Sequence, residues 1–401
     1  MARSRARPGS KLNRDALRLV SLTIGLDRSG SRVEDRYWEG QLEELIGKLL
    51  KSGQDSVLES ALEHLGQSGN AAYEVLIEQA ETLSESTLIV AGGVTHDVLL
   101  VVAPVVAFTR YAIPSGPLSD DARLALTAQL HGHILSDDAR LALLPALVSV
   151  DQMPRTFSET WTWLSRLGSH ALGQDAPRPA LHADADAHSM LADTRYLVAA
   201  VAVPQGAPVF RWQTPTSDSL AARDEALNTW REQTQATFAS LLPGCGFEIL
   251  LPDAYYVSNR EADRRMRPLS LRAAVNWLQS SVSLEPSELR AVIAGCGEEV
   301  VEEYRISFTA RDSKEVFYGC VWPLYGREEV ASTMIDEQMT VIEEIAAHLK
   351  AFGIADLRQI PGILPLEYCD DCGSPYFPNP VGELVHAGLP EDASEGPAHF
   401  H

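Results

Sequence analysis

The stretch VLLVVAPVVA, residues 98–107, constrains this chain more than any other. Alternate residues of a strand point to opposite faces, and here both faces are apolar, so neither can be wet. The run therefore predicts a strand buried between two layers. TLIVA and the Gly92-Gly93 pair just before it supply a β-branched partner and a turn. The run falls far short of the roughly 20 residues that cross a bilayer, and Pro104 interrupts it, so no membrane span is expected.

The segment before this strand has helical periodicity. DRYWEGQLEELIGKLLKSG places Trp38, Leu42, Leu45, Ile46, Leu49 and Leu50 on one stripe and stops at Gly53. SVLESALEHLG and AAYEVLIEQAETL repeat the pattern, which makes residues 15–85 a small helical module.

After the buried run, Ser119 is an N-cap for a helix through DDARLALTAQLHGHI. ARLALLPALVSV then predicts a second buried strand, and TFSETWTWLSRLGSHAL a helix. The nonapeptide LSDDARLAL occurs twice, at 118–126 and 135–143. Two copies are too few for a repeat array, which needs about three. The second copy runs on into Leu144, Pro145 and Val148, which favours strand, so one peptide is expected in two conformations.

Residues 171–193 are rich in Ala, Pro and Asp without apolar periodicity, and form a linker. Beyond it, RYLVAAVAVPQGAPVFRW predicts a strand or hairpin and LAARDEALNTWREQTQATFASLL a helix. FEILLPDAYYV predicts a strand, and READRRMRPLSLRAAVNWLQSSV a helix broken at Pro268. Residues 86–170 and 194–283 thus give two similar βαβα units. In 284–360, LRAVIAG, EYRISFTA and EVFYGCVWPLY predict strands, the last two a hairpin turning at Asp312-Ser313. ASTMIDEQMTVIEEIAAHLKAFG predicts the helix behind them. The class is α/β grading into α+β, with residues 361–401 left as a knuckle-like CxxC tail.

Charge limits the partners. The net charge is −22; of 33 Lys and Arg, six lie in residues 1–18, where Asp15 is the one acid among 55. A body this acidic repels a phosphate backbone, which leaves nucleic-acid contact only to the basic arm, residues 1–14. The arm has no apolar segment, so a secretory leader is not expected, and five cysteines do not make a disulfide framework. A reducing cytoplasm is the expected compartment.

The chemistry concentrates in EYCDDCGSPYFPNP, residues 367–380. A redox C-x-x-C needs its first thiolate at a helix N-terminus, and Gly373, Pro375, Pro378 and Pro380 prevent a helix there. Zinc fits better: Cys369 and Cys372 can bind one ion from a tight turn, with Gly373 free to adopt the left-handed backbone of a knuckle. Four ligands are needed and no second C-x-x-C exists, so His386 with His399 or His401 would complete the set. A free or reversibly oxidised pair is the other reading. HADADAH, with His182, Asp184, Asp186 and His188, lies in the linker and is read as solvated. Cys245, Cys296 and Cys320 sit in apolar surroundings as small buried hydrophobes.

A second candidate is the basic cluster Arg260, Arg264, Arg265, Arg267 and Arg272. Arg260, Arg264 and Arg267 share a helical face that could hold a phosphate or carboxylate. Asp253, after a strand and beside Tyr255 and Tyr256, would be the general base in that cleft. Glu261 and Asp263 offer the arginines an internal ion-pair network instead. Phosphate-loop, dinucleotide, zincin and nucleophile-elbow motifs are all missing.

Several segments together, EDRYWE, TRYAIPSGP, LLPGCGFEILLPDAYY, READRRMRP, VWPLYGRE, PLEYCDDCGSP and the terminal AHFH, resemble a bacterial protein family defined by a domain of unknown function, number 2863. The resemblance covers nearly the whole chain and implies a full-length cytoplasmic bacterial protein. It carries no activity, cofactor or site residue. The function expected is therefore a non-catalytic cytoplasmic protein whose zinc-stapled C-terminal segment supports docking of a protein partner. The alternative is an enzyme or binding protein for a small anionic ligand near Asp253 and Arg264.

Overall fold

The structure, a computed structural model, describes residues 12–67, 71–109, 112–182, 192–213, 219–281, 283–298, 300–324 and 340–388. Residues 1–11 of the basic arm, Asp184, Asp186 and His188 of the linker, and His399 and His401 lie outside them.

The expected helical module comprises α1 (Arg14–Asp27), α2 (Arg32–Ser52), α3 (Asp55–Gln67) and α4 (Ala72–Glu85). Side-chain caps begin the first two: Asn13 accepts from the Ala16 N–H at 2.7 Å, and Ser31 from that of Glu34 at 3.3 Å. Gly53, at φ 66°, ends α2 in the left-handed conformation. The apolar stripes, including Leu19, Leu42, Ile46, Leu49 and Leu58, close into one core, with Phe157 and Trp161 packed against it.

The buried run forms the middle of β2 (Val94–Phe108), the hub of a seven-stranded sheet. On one side β2 pairs antiparallel along its length with β5 (Ala192–Pro204). On the other it takes β1 (Ser86–Ala91) and then the short β7 (Asp253–Ala254) and β6 (Gly246–Ile249). β4 (Arg140–Ser149) and β3 (Gly116–Pro117) complete the sheet beyond β5. Val101, Ala103, Val105 and Ala107 point into one core with Trp230 and Phe238 of α7 (Ser219–Leu241) and Leu126 of α5 (Asp120–Gln129). Val98, Leu100, Val102 and Val106 point into the other, with Trp163 and Leu164 of α6 (Phe157–Ala171). Both faces are dry, as the sequence requires.

Pro104 is tolerated at the centre because of where its nitrogen points. A strand residue's N–H and C=O face the same neighbour, and the Pro104 carbonyl accepts from Leu250 N at 3.0 Å, on the β6 side. The missing donor thus falls in the gap between β7 and β6, and no β5 bond is lost.

The α+β class holds, and the two strand–helix stretches flanking the linker share this one antiparallel sheet. Long continuous apolar runs resemble parallel strands in sequence, but what they require is a helix layer on each face, and an antiparallel order supplies that equally well.

Two local expectations are corrected. FEILLPDAYYV is not one strand: Pro252 parts β6 from β7, and Tyr255 and Tyr256 open α8 (Tyr255–Ser281). Nor does Pro268 break α8, which runs through it. Its two halves are buried in different cores, Tyr255 and Ala262 in that of the first sheet and Leu271, Ala274 and Leu278 in that of a second. Packing at both ends outweighs one missing backbone bond.

The second sheet has the order β10-β9-β8-β11, from β8 (Leu289–Cys296), β9 (Glu303–Ala310), β10 (Tyr318–Pro323) and β11 (Asp356–Leu364). β9 and β10 form the expected hairpin. α8 and α9 (Val341–Ala351) cover one face, where Ile306, Phe308, Ile345 and Leu349 meet. The part of the last expected helix before Thr340 lies outside the described residues. On the opposite side of β9 the alternate residues are Glu303, Arg305, Ser307 and Thr309, of which the last three are fully buried. The tail covers Arg305 and Ser307, which donate to its carbonyls at Glu367, Tyr376 and Pro378.

The repeated nonapeptide adopts two conformations. At 118–126 Ser119 caps α5, accepting from Ala122 N at 3.2 Å. At 135–143 the backbone N–H of Ser136 donates to Val209 O at 2.9 Å, and Arg140–Leu143 pair with β5.

Candidate metal centre in the C-terminal segment

β11 lies parallel to β8 at the sheet edge and delivers the chain to the loop at 367–376. Tyr376 N donates to Glu367 O at 3.0 Å, closing the stem. Within it Cys369 N donates to Ser374 O at 2.7 Å and Gly373 N to Cys369 O at 2.9 Å. Gly373 has φ 74°, the left-handed backbone that a knuckle needs and a side chain resists.

The histidine arrives by a hairpin. β12 (Phe377–Pro378) pairs with β13 (Leu384–Val385) around a turn built by Asn379. Asn379 Oδ1 accepts from Val381 N and Glu383 N, both at 3.0 Å, and its Nδ2 donates to Glu383 Oε2 at 2.8 Å. Gly382, at φ 89°, completes the reversal. His386 therefore returns to the cysteines, with Nε2 3.3 Å from Cys372 Sγ.

Ligand atoms of Cys369, Cys372 and His386 lie within 4.8 Å of one another. His386 Nδ1 is 2.7 Å from Ala387 O. A carbonyl only accepts, so Nδ1 carries a proton, which leaves Nε2, the nitrogen facing the sulfurs, as the one an ion could take. Cys372 Sγ lies 3.0 Å from Ser374 Oγ, and hydrogen bonds from the Ser374 side chain and backbone hold its thiol below the ordinary range. The Tyr376 phenol is raised, chiefly by its hydrogen bond to Cys369. Two cysteine sulfurs and an imidazole nitrogen form a soft, tetrahedral-type donor set suited to zinc. Of the four residues expected from sequence, three are thus brought together; His399 is outside the described residues.

Sequence reasoning missed Arg305, which joins this segment to the second sheet. The signal was EYRISFT, whose odd positions are polar while its even positions are apolar. A strand with such alternation and a buried polar side needs partners for that side.

The arginine cluster is distributed differently. Arg260 reaches both carboxylate oxygens of Glu81 in α4, at 2.9 and 2.8 Å. Arg264 lies 3.9 Å and Arg265 3.2 Å from Glu261. Arg267 is buried, its guanidinium 5.9 Å from the centre of the Trp322 ring. Asp253 is ion-paired with Arg223 of α7. Glu85 accepts from Tyr256 N at 2.9 Å, capping α8 from another helix, and burial raises its carboxyl to about 7.

Elsewhere, His182 Nε2 lies 3.1 Å from Glu159. Cys296 and Cys320 are buried and Cys245 half-buried. Among the described residues no helix is long and apolar enough to cross a membrane.

The family described as Protein of unknown function (DUF2863) matches residues 4–400. The chain belongs to this family. That agrees with the resemblance in its sequence segments. No curated protein and no solved structure matches the chain.

Proposed function

We propose that Cys369, Cys372 and His386 bind one zinc ion, with His399 or His401 as fourth ligand, and that the ion staples the C-terminal segment across the second sheet. The supporting observation is the convergence of three ligand atoms within 4.8 Å, with the imidazole tautomer already set by Ala387 O. On this reading the ion is structural. It holds an exposed knuckle, bearing Asp370 and Asp371, against the rigid sheet as a docking platform for a protein partner in the cytoplasm. The reading assigns no catalytic step. The alternative, a small-anion site, has weaker support, since Asp253 and Arg260 are engaged by Arg223 and Glu81.

Elemental analysis of the purified full chain beside Cys372→Ser tests the staple. One zinc per wild-type chain, lost in the variant, is the expected result. Equal metal in both, or none in the wild type, removes it.

A further inference from the structure

We infer that Arg305 is the positioning residue of the metal site, setting the distance between its cysteine arm and its histidine arm. The inference rests on the zinc reading above and extends it to a residue 64 positions from Cys369 in the chain, a strand residue that no ligand pattern would select.

Arg305 has no exposed surface. Its Nη1 donates to Glu367 O at 2.7 Å and to Tyr376 O at 2.6 Å. These carbonyls are the two ends of the loop stem. Cys369 lies two residues beyond the first, and the hairpin that brings back His386 begins immediately after the second. One nitrogen therefore anchors both arms. Glu303, 2.7 Å from Nε, orients the guanidinium and balances its charge, while the Tyr368 ring lies 5.0 Å from it.

A buried guanidinium is costly unless it is paired and hydrogen-bonded. This one is committed to the two stem carbonyls, so it resists any change in their separation. Lysine could keep the charge but not the fork that serves Glu303 and the carbonyls together. Groups that orient metal ligands from outside the coordination sphere commonly change metal affinity by about 10- to 100-fold when altered.

The experiment measures zinc affinity of the full chain by competition with a chromophoric chelator, and the visible absorption of the cobalt(II)-substituted protein as a report on ligand geometry. The variants are Arg305→Lys, Glu303→Gln and Ser307→Ala. Ser307 donates to Pro378 O in the histidine arm alone, and so controls for loss of a tail contact that does not bridge the two arms. Arg305→Lys is expected to weaken zinc by about 10- to 100-fold and to shift the cobalt bands. Glu303→Gln, the fallback should Arg305→Lys not fold, gives a smaller loss of the same sign, and Ser307→Ala neither effect. Wild-type affinity in Arg305→Lys, or in Glu303→Gln where the lysine variant does not fold, overturns the inference alone. So does an equal loss in Ser307→Ala. No zinc in the wild type overturns the zinc reading, and this inference with it.

Discussion

Gly319 of β10 lies so close to the ring of Phe377 that a Cβ at position 319 would overlap ring carbons. Phe377 is 2% exposed and belongs to the segment that carries the metal site. The glycine is thus a notch in the sheet into which the tail is keyed. Gly319→Ala is expected to cost about 1–3 kcal/mol by overpacking. In a Phe377→Ala background the same change should cost little, because the clashing ring is gone. Urea unfolding of the four proteins in this cycle measures the coupling; additive costs would show that the notch and the ring are independent.

The two copies of LSDDARLAL offer an internally controlled test of capping. Ser119 Oγ accepts the Ala122 N–H at the start of α5, whereas Ser136 Oγ is buried without a hydrogen-bond partner among the described residues. Ser119→Ala should lower stability by about 1 kcal/mol. Ser136→Ala should be neutral or slightly stabilising, since the Val209 contact comes from its backbone N–H. Thermal melts of the two variants decide it, and equal losses would contradict the assignment.

Stability should fall as pH rises through neutrality, on account of Glu85. Burial, with Glu81 and Asp253 nearby, raises its carboxyl to about 7 from an ordinary 4.5, against the lowering effects of the Tyr256 N–H and Arg260. The folded state therefore holds a proton that the unfolded state releases earlier. Its contribution is full below pH 4.5 and is lost as pH passes 7. The span corresponds to about 3 kcal/mol. Glu85→Gln, which keeps an acceptor for Tyr256, should flatten the dependence and exceed wild type in stability at pH 8. Denaturation midpoints between pH 5 and 8 give the readout; parallel wild-type and variant curves would exclude Glu85 as the source.

How much of this was legible beforehand follows from the range of each interaction. Residues 98–107 declare a doubly covered strand because burial on both faces is written in consecutive side chains. Cys369, Cys372 and Gly373 declare a knuckle because its geometry is local. Strand order was not legible: whether β2 pairs with β5 or begins a parallel unit depends on contacts across some hundred residues. Pro268 misled for a related reason, since the packing that carries α8 through it comes from two separate cores. Arg260, Arg264 and Arg267 share a face in sequence, yet Glu81 and Trp322, both distant in the chain, take the first and the last of them.

The five cysteines should differ sharply in reactivity, and the order tests the site without reference to activity. The thiolate is the reacting species, so rates follow thiol pKa and access. Cys372 is exposed and its thiol is lowered by hydrogen bonds from Ser374. Cys296 is buried and raised to about 11, and Cys320 is raised further, both chiefly by burial. With chelator present, iodoacetamide at pH 7 should label Cys372 first and leave Cys296 and Cys320 untouched until the chain unfolds. Ser374→Ala should slow the first reaction, by about three- to fourfold for each pKa unit regained, because the loss of thiolate is partly offset by its greater nucleophilicity. Added zinc should protect Cys369 and Cys372 together while leaving Cys245 unchanged, because one ion occupies both sulfurs of the loop. Mass spectrometry of the tryptic peptides reads all of these rates, and zinc that protects neither cysteine would separate the knuckle from the metal.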